Sequence, residues 1–236
     1  MHRVFILTGA GISAPSGIQT FRGDDGLWNG HHIEDVATPY AFETNPHLVH
    51  EFYNQRRQEL ALVQPNAAHR ALSRLFASPD IHLNLVTQNV DDLHERGGVE
   101  EVLHMHGELC KARCVDCWET IDWYSDLSMD QLCLNCNGKM RPHIVWFGET
   151  PFDLPLINRC LQSCDTFLAI GTSGMVYPAS EFVQTAHAHG AETLEFNLET
   201  TAISEHFDLC VTGDVTTTIP EWVNNFLLAF EDHQGF

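Results

Sequence analysis

Four cysteines carry the plainest chemistry in this sequence. Cys114-x-x-Cys117 and Cys133-x-x-Cys136 stand fifteen residues apart. Each pair forms a short knuckle, and four thiolates satisfy tetrahedral zinc. With all four positions filled by protein, none is left for water. The expected metal is therefore structural, holding together a module with little core of its own. Cys110, Cys160, Cys164 and Cys210 lie outside the set. Cys160 and Cys164 share a helix face and read as core packing.

A second constellation suits phosphate. The apolar run Val4-Phe5-Ile6-Leu7 stops at Gly9-Ala10-Gly11-Ile12-Ser13-Ala14. Strand, Gly-x-Gly and helix start follow the dinucleotide-binding fingerprint, with Ala14 in its last small position. Glycines there admit a pyrophosphate to the backbone, and the helix N-terminus offers free N–H groups. The same pattern also occurs as turn punctuation. Asn89 and Asp91 follow the apolar run Ile81–Val86. Polar residues at the C-terminal end of a core strand sit where open α/β sheets bind ligands, though both residue types also cap helices. Tyr53 and Arg56 are three apart, on a helix face shared with Val49, Phe52 and Leu60. An arginine leaning into that apolar wall would pair its fork with a carboxylate. By spacing alone, a core tyrosine and a snorkelling arginine are the plainer reading.

The elements that must position these groups alternate. Asn45-Pro46 opens a helix through Val63, and Pro65-Asn66 opens another through Phe76. Further strands are expected at 81–86, 102–107, 144–147, 167–171, 193–197 and 208–211, with helices around 179–189 and 219–230. Such alternation predicts an α/β protein with a doubly wound, Rossmann-like parallel sheet. Some sixty residues separate the first two convincing strands, too many for a dehydrogenase-type opening unit. The expected division is a nucleotide-binding domain at 1–28, 67–108 and 144–236, a helical module at 29–66 and a zinc-binding module at 109–143.

The 236 residues carry a formal charge of −20. That balance argues against nucleic acid, which needs a basic surface. No apolar run approaches the length of a membrane span, and Gly9 breaks the opening apolar stretch too early for a signal peptide. A cytoplasmic location is expected, where cysteines hold metal more often than they pair.

Together, several blocks identify a resemblance. Gly9-Ala10-Gly11-Ile12-Ser13-Ala14-x-Ser16-Gly17-Ile18-x-Thr20-Phe21-Arg22 resembles the cofactor loop of the sirtuins, NAD-dependent protein deacylases. Gln88-Asn89-Val90-Asp91, His106-Gly107, the cysteine set, Arg141–Glu149, Gly171-Thr172-Ser173 and Asn197-Leu198-Glu199 extend it over nearly the whole chain. Pro15 and Gln19 depart from the family's glutamate and proline, with no catalytic group lost.

The resemblance implies that an acyl-lysine oxygen displaces nicotinamide from NAD, after which a base deprotonates a ribose hydroxyl. Histidine suits that task, its ordinary pKa being near neutrality. His106, directly before glycine, takes the role rather than its neighbour His104, and Asn89 joins it in catalysis. NAD would be held by Gly9, Ala10, Gly11, Ile12, Ser13, Phe21, Arg22, Gln88, Asn89, Asp91, Gly171, Thr172, Ser173, Asn197, Glu199 and Val215. Within that set Asp91 and Ile12 address the nicotinamide, Gln88 and Asn89 its ribose, and Asn197 and Glu199 the adenosine ribose. Val145, Phe147 and Gly148 would receive acylated lysines of other proteins along an exposed strand edge. Tyr-x-x-Arg after Phe52 resembles the subgroup that removes succinyl and malonyl groups, with acetyl removal retained. Mono-ADP-ribosyl transfer and a non-catalytic acyl-lysine reader are the alternatives.

Overall fold

A computed structural model describes residues 1–19, 28 and 30–231. Its centre is a parallel sheet of six strands: β1 (His2–Thr8), β2 (Ile81–Thr87), β3 (Val102–His104), β7 (Thr166–Ile170), β8 (Glu192–Asn197) and β9 (Leu209–Thr212). Their spatial order is β3-β2-β1-β7-β8-β9. The order runs outward in both directions from the β1–β7 pair, the arrangement that opens a crevice at the strand C-termini. Between β3 and β7 the chain makes a second, antiparallel sheet in the order β5-β4-β6, from β4 (Gly107–Cys114), β5 (Thr120–Asp122) and β6 (Met140–Ile144).

Side chains alternate across the large sheet, so each face of β1 has its own core. Val4 and Ile6 join Leu72, Leu75, Ile219 and Val223 from the helices Ala67–Phe76 and Val215–Glu231. Phe5 and Leu7 join Ile157, Leu161, Phe182 and Val183 from the helices Leu154–Leu161 and Phe182–Ala188. A third core, of Val49, Phe52, Tyr53 and Leu60 with Leu109, Ile144 and Trp146, ties the helix Pro46–Leu62 to the small sheet. Helix starts follow expectation: Asn45 Oδ1 accepts from the Leu48 N–H, and Asn66 Oδ1 accepts from the Ala68 and His69 N–H groups. Arg57 of the same long helix is buried, donating to the carbonyls of Leu109 and Ser125.

Two strands differ from the sequence reading. β3 ends at His104, because Gly107 turns the chain into β4 with φ +85. There a Cβ would lie 2.1 Å from the His143 carbonyl oxygen of β6, so only glycine permits the pairing. The stretch Ile144–Phe147 does not return to the large sheet. Ile144 ends β6, and the next residues are folded over by a clamp described below. The C-terminal helix begins four residues earlier than read, capped by Asp214, whose Oδ1 accepts from the Thr216 N–H at 2.8 Å. Among the described residues, no helix is long and apolar enough to cross a membrane.

Candidate functional site

At the crevice two glycine turns lock together. The Gly9 N–H donates to Ile170 O at 3.0 Å and the Gly11 N–H to Gly171 O at 2.8 Å. Gly171 has φ +61, and a Cβ there would meet the Ile12 nitrogen at 2.4 Å. The glycines thus let two strand ends touch, a requirement that exists before any phosphate arrives. Asn66 pins the loop from below, its Nδ2 donating to Ile12 O at 2.8 Å and Ser16 Oγ at 3.0 Å.

Amide side chains around this crevice have their donors spent. Asn89 Nδ2 donates to Gly9 O at 3.0 Å and Ser13 Oγ at 3.1 Å. Asn197 Nδ2 donates to Thr172 O and Glu195 Oε1, both at 3.0 Å. Among the described residues neither amide oxygen has a hydrogen-bond donor, and an amide oxygen can accept from a hydroxyl. Gln88 Nε2 donates to Thr172 Oγ1 at 2.9 Å, linking β2 to the turn after β7. Asp91 accepts from Ser13 Oγ at 2.9 Å and from the Leu93 N–H at 3.1 Å. Burial pushes its carboxyl up to about 6, against the pull of those two donors.

Two histidines flank the crevice. His106 Nδ1 faces the Gln88 carbonyl at 3.0 Å. A carbonyl only accepts, so Nδ1 carries the hydrogen and Nε2 the lone pair. Burial holds its pKa below the ordinary value, outweighing that hydrogen bond, and the ring is a neutral base at neutral pH. His104 Nδ1 faces Asn89 O at 3.2 Å and its Nε2 meets Glu95 Oε1 at 2.6 Å. Burial lowers this ring's pKa, but Glu95 more than compensates and raises it.

Beside Asp91 opens a cavity of about 270 Å³ whose lining includes Gly17, Tyr53, Arg56, Glu59, Leu60 and Val90. Tyr53 accepts from Trp146 Nε1 at 3.0 Å, which leaves its own hydroxyl hydrogen for another acceptor. Trp146 is held in turn. Arg141 donates to Glu149 through Nη1 at 2.7 Å and Nη2 at 2.9 Å, and Glu149 Oε2 accepts from the Trp146 N–H at 2.8 Å. Burial alone would raise the Glu149 carboxyl, but Arg141 and the Trp146 N–H bring it below its ordinary value. This clamp folds residues 145–148 back. The N–H groups of Val145 and Phe147 go to His106 O and Ala37 O, at 2.8 and 3.0 Å. The donors of 145, 146 and 147 are thus all committed inside the chain, at the stretch where the sequence reading expects an exposed strand edge. Arg56 donates through Nε and Nη2 to both oxygens of Glu59, at 2.9 and 3.0 Å.

The cysteine set closes on itself. Cys114, Cys117, Cys133 and Cys136 bring all four sulfurs within 4.8 Å of one another. Sulfurs of Cys114 and Cys136 are 3.4 Å apart, and those of Cys117 and Cys133 3.5 Å. Disulfides need about 2.05 Å, whereas four sulfurs at ~2.3 Å from zinc stand roughly 3.8 Å apart. The residues after each knuckle, Trp118 and Asn137, have φ +64 and +61, so the two halves repeat one geometry. The donor set fits one zinc ion.

Of the other expected site residues, Ala10, Gly11, Ile12 and Ser13 line the first turn and Thr172 and Ser173 the second. Glu199 is exposed just beyond β8, and Val215 has its side chain in the core at the head of the last helix. Phe21 and Arg22 lie outside the described residues. Glu59, Asn66 and the Arg141–Glu149–Trp146 clamp went unread as parts of the site. Only Glu59 had a local signal, its helical spacing from Arg56.

A model of the Sir2 family matches residues 9–178. An NAD-dependent protein deacylase of Yersinia pestis is 50% identical over 237 residues, spanning 98% of this chain and 85% of the relative. One from Vibrio parahaemolyticus is 50% identical over 230 residues, spanning 96% and 95%. Among solved structures, a Sir2 homologue bound to NAD is 36% identical, with a TM-score of 0.88 over 96% of this chain and 90% of that one. Another, bound to ADP-ribose, is 35% identical, with a TM-score of 0.90 over 97% and 93%.

Proposed function

The chain belongs to the Sir2 family and is an NAD-dependent protein deacylase, and from that premise we propose that it removes succinyl and malonyl groups from lysine as well as acetyl. The products would be free lysine, nicotinamide and an O-acyl-ADP-ribose. The observation that carries the reading is the cavity beside Asp91, whose wall holds both a tyrosine hydroxyl with a hydrogen to give and a guanidinium. An acyl group ending in a carboxylate needs that pair; an acetyl group does not.

When bound, NAD supplies an anomeric carbon that becomes electrophilic as nicotinamide leaves. The chain supplies the rest. Asp91, fixed by Ser13 and Leu93, would accept from the nicotinamide amide. Asn89 and Asn197 would accept from ribose hydroxyls through their oxygens, and the Gly9 and Gly171 turns would receive the phosphates. His106, its lone pair on Nε2, would take the proton of a ribose hydroxyl. Val145, Phe147 and Gly148 would face the peptide, and zinc on the four cysteines would hold the small sheet that carries this segment.

The test is Arg56→Met with peptides that differ only in the acyl group. Losing an enclosed charged hydrogen bond costs about 1.5–3 kcal/mol, roughly ten- to a hundredfold in kcat/KM for succinyl-lysine. Acetyl-lysine should change far less. Equal losses on both would make Arg56 a structural residue and remove the basis for acidic-acyl specificity. A reader would consume no NAD, and a mono-ADP-ribosyltransferase would leave ADP-ribose on protein.

A further inference from the structure

Arg56 already has an anion. Its Nε and Nη2 face both oxygens of Glu59, the side-by-side geometry in which a guanidinium binds a carboxylate most tightly. The pair spans the cavity wall: the Arg56 side chain is 10% exposed and that of Glu59 49%. The arginine therefore belongs to the interior and the glutamate to the mouth. Among the described residues lining the cavity, the charged groups are Arg56, Glu59 and Asp91. With Glu59 in place the Arg56–Glu59 pair has no net charge to offer an incoming acyl carboxylate.

We infer that Glu59 is a built-in competitor for the acyl carboxylate, which sets how strongly the enzyme prefers acidic over neutral acyl-lysine. This rests on the proposal that Arg56 receives that carboxylate. A succinyl group arriving at Arg56 must either turn Glu59 out to solvent or share the guanidinium with it, two anions on one cation. Half-exposure makes the first route accessible, since water can solvate the displaced glutamate. An acetyl group makes no such demand, and the Arg56–Glu59 pair then stays intact while neutral acyl groups are processed. No bond is made or broken in this role; Glu59 acts through Arg56 on binding, so its signature belongs in KM for the acidic substrate.

The experiment measures kcat and KM on acetyl and succinyl peptides of one sequence, for wild type, Glu59→Gln, Arg56→Met and the double variant. Glu59→Gln keeps the shape and removes the charge. The ratio of succinyl to acetyl kcat/KM should rise roughly one-and-a-half- to fivefold, the range for a partly exposed charge pair, through a lower KM for the succinyl peptide. On the Arg56→Met background the same change should do nothing to the ratio. Glu59→Ala, which removes the hydrogen bonds as well, should move the ratio in the same direction. A ratio unchanged or lowered by Glu59→Gln, while Arg56→Met still cuts succinyl turnover selectively, overturns the competitor role and leaves the acidic-acyl reading standing. An unchanged ratio in Arg56→Met overturns both.

Discussion

Two histidines two residues apart differ in what their nitrogens face, and that decides which can take a proton. His104 gives Nδ1 to a carbonyl and Nε2 to a carboxylate, and Glu95 favours the doubly protonated ring, which has no lone pair. His106 gives Nδ1 to the Gln88 carbonyl and keeps Nε2. The choice of His106 was legible in sequence only through the family's His-Gly order; periodicity could not separate the two, because a strand expected over 102–107 puts both on one face. His106→Ala should lower deacylation of every acyl peptide by about a hundredfold or more, with the circular dichroism spectrum unchanged. If, as proposed, deprotonation follows expulsion of nicotinamide, exchange of labelled nicotinamide into NAD should persist in this variant. In the wild type, the lowered pKa of His106 should place its contribution to the acid limb of kcat/KM below the ordinary histidine value of 6.5. Wild-type turnover in folded His106→Ala would put the base elsewhere.

At the scale of elements, the small sheet shows where sequence reading reaches its limit. The knuckles were plain, since Cys-x-x-Cys spacing fixes a local geometry whatever surrounds it. The fate of Ile144–Phe147 was not. An apolar run of four reads equally as a core strand, and what folds it back is a contact between Arg141 and Glu149 that no local pattern announces. The core of the cysteine module is slight: Ala112, Leu127 and Met140 are the buried apolar residues beside Cys114 and Cys133. Little burial is available there to hold β5 and the knuckles without metal. Cys117→Ala, leaving three ligands, should lose zinc and lower the melting temperature together. Chelation of the wild type should do the same, and deacylation should fall with it because β6 leads into Val145–Gly148. Wild-type protein purified without zinc, yet folded and active, would refute a structural metal.

Over the whole molecule, function is set against stability at the β1–β7 crevice. The strand order was legible as a class from alternating elements, but not the contact between Gly9 and Gly171, made by residues far apart in the chain. That closure also buries Asp91 beneath the first turn, against Ser13. Its carboxyl, ordinarily near 3.8, stands at about 6 in the folded protein. A raised folded pKa means that the native state holds the proton more tightly than the unfolded chain. The associated stability is complete below the unfolded value and is lost as pH rises through the folded one. Between pH 4 and 6 the wild type should therefore give up on the order of 3 kcal/mol from this one group, so that near neutrality it carries an ionised carboxylate that opposes folding. Asp91→Asn keeps the shape and an acceptor for the Leu93 N–H, and Ser13 can turn to accept from the new amide. Across that pH window the variant should lack this loss, and at pH 7.5 it should melt higher than wild type. It should also release far less nicotinamide from NAD in the presence of acyl peptide, since an amide facing an amide offers one acceptor fewer. The measurement is melting temperature against pH for both proteins, alongside nicotinamide release. Equal pH slopes would mean that Asp91 ionises in the folded protein as readily as in the unfolded chain, and a variant that is more stable but fully active would remove Asp91 from the nicotinamide site.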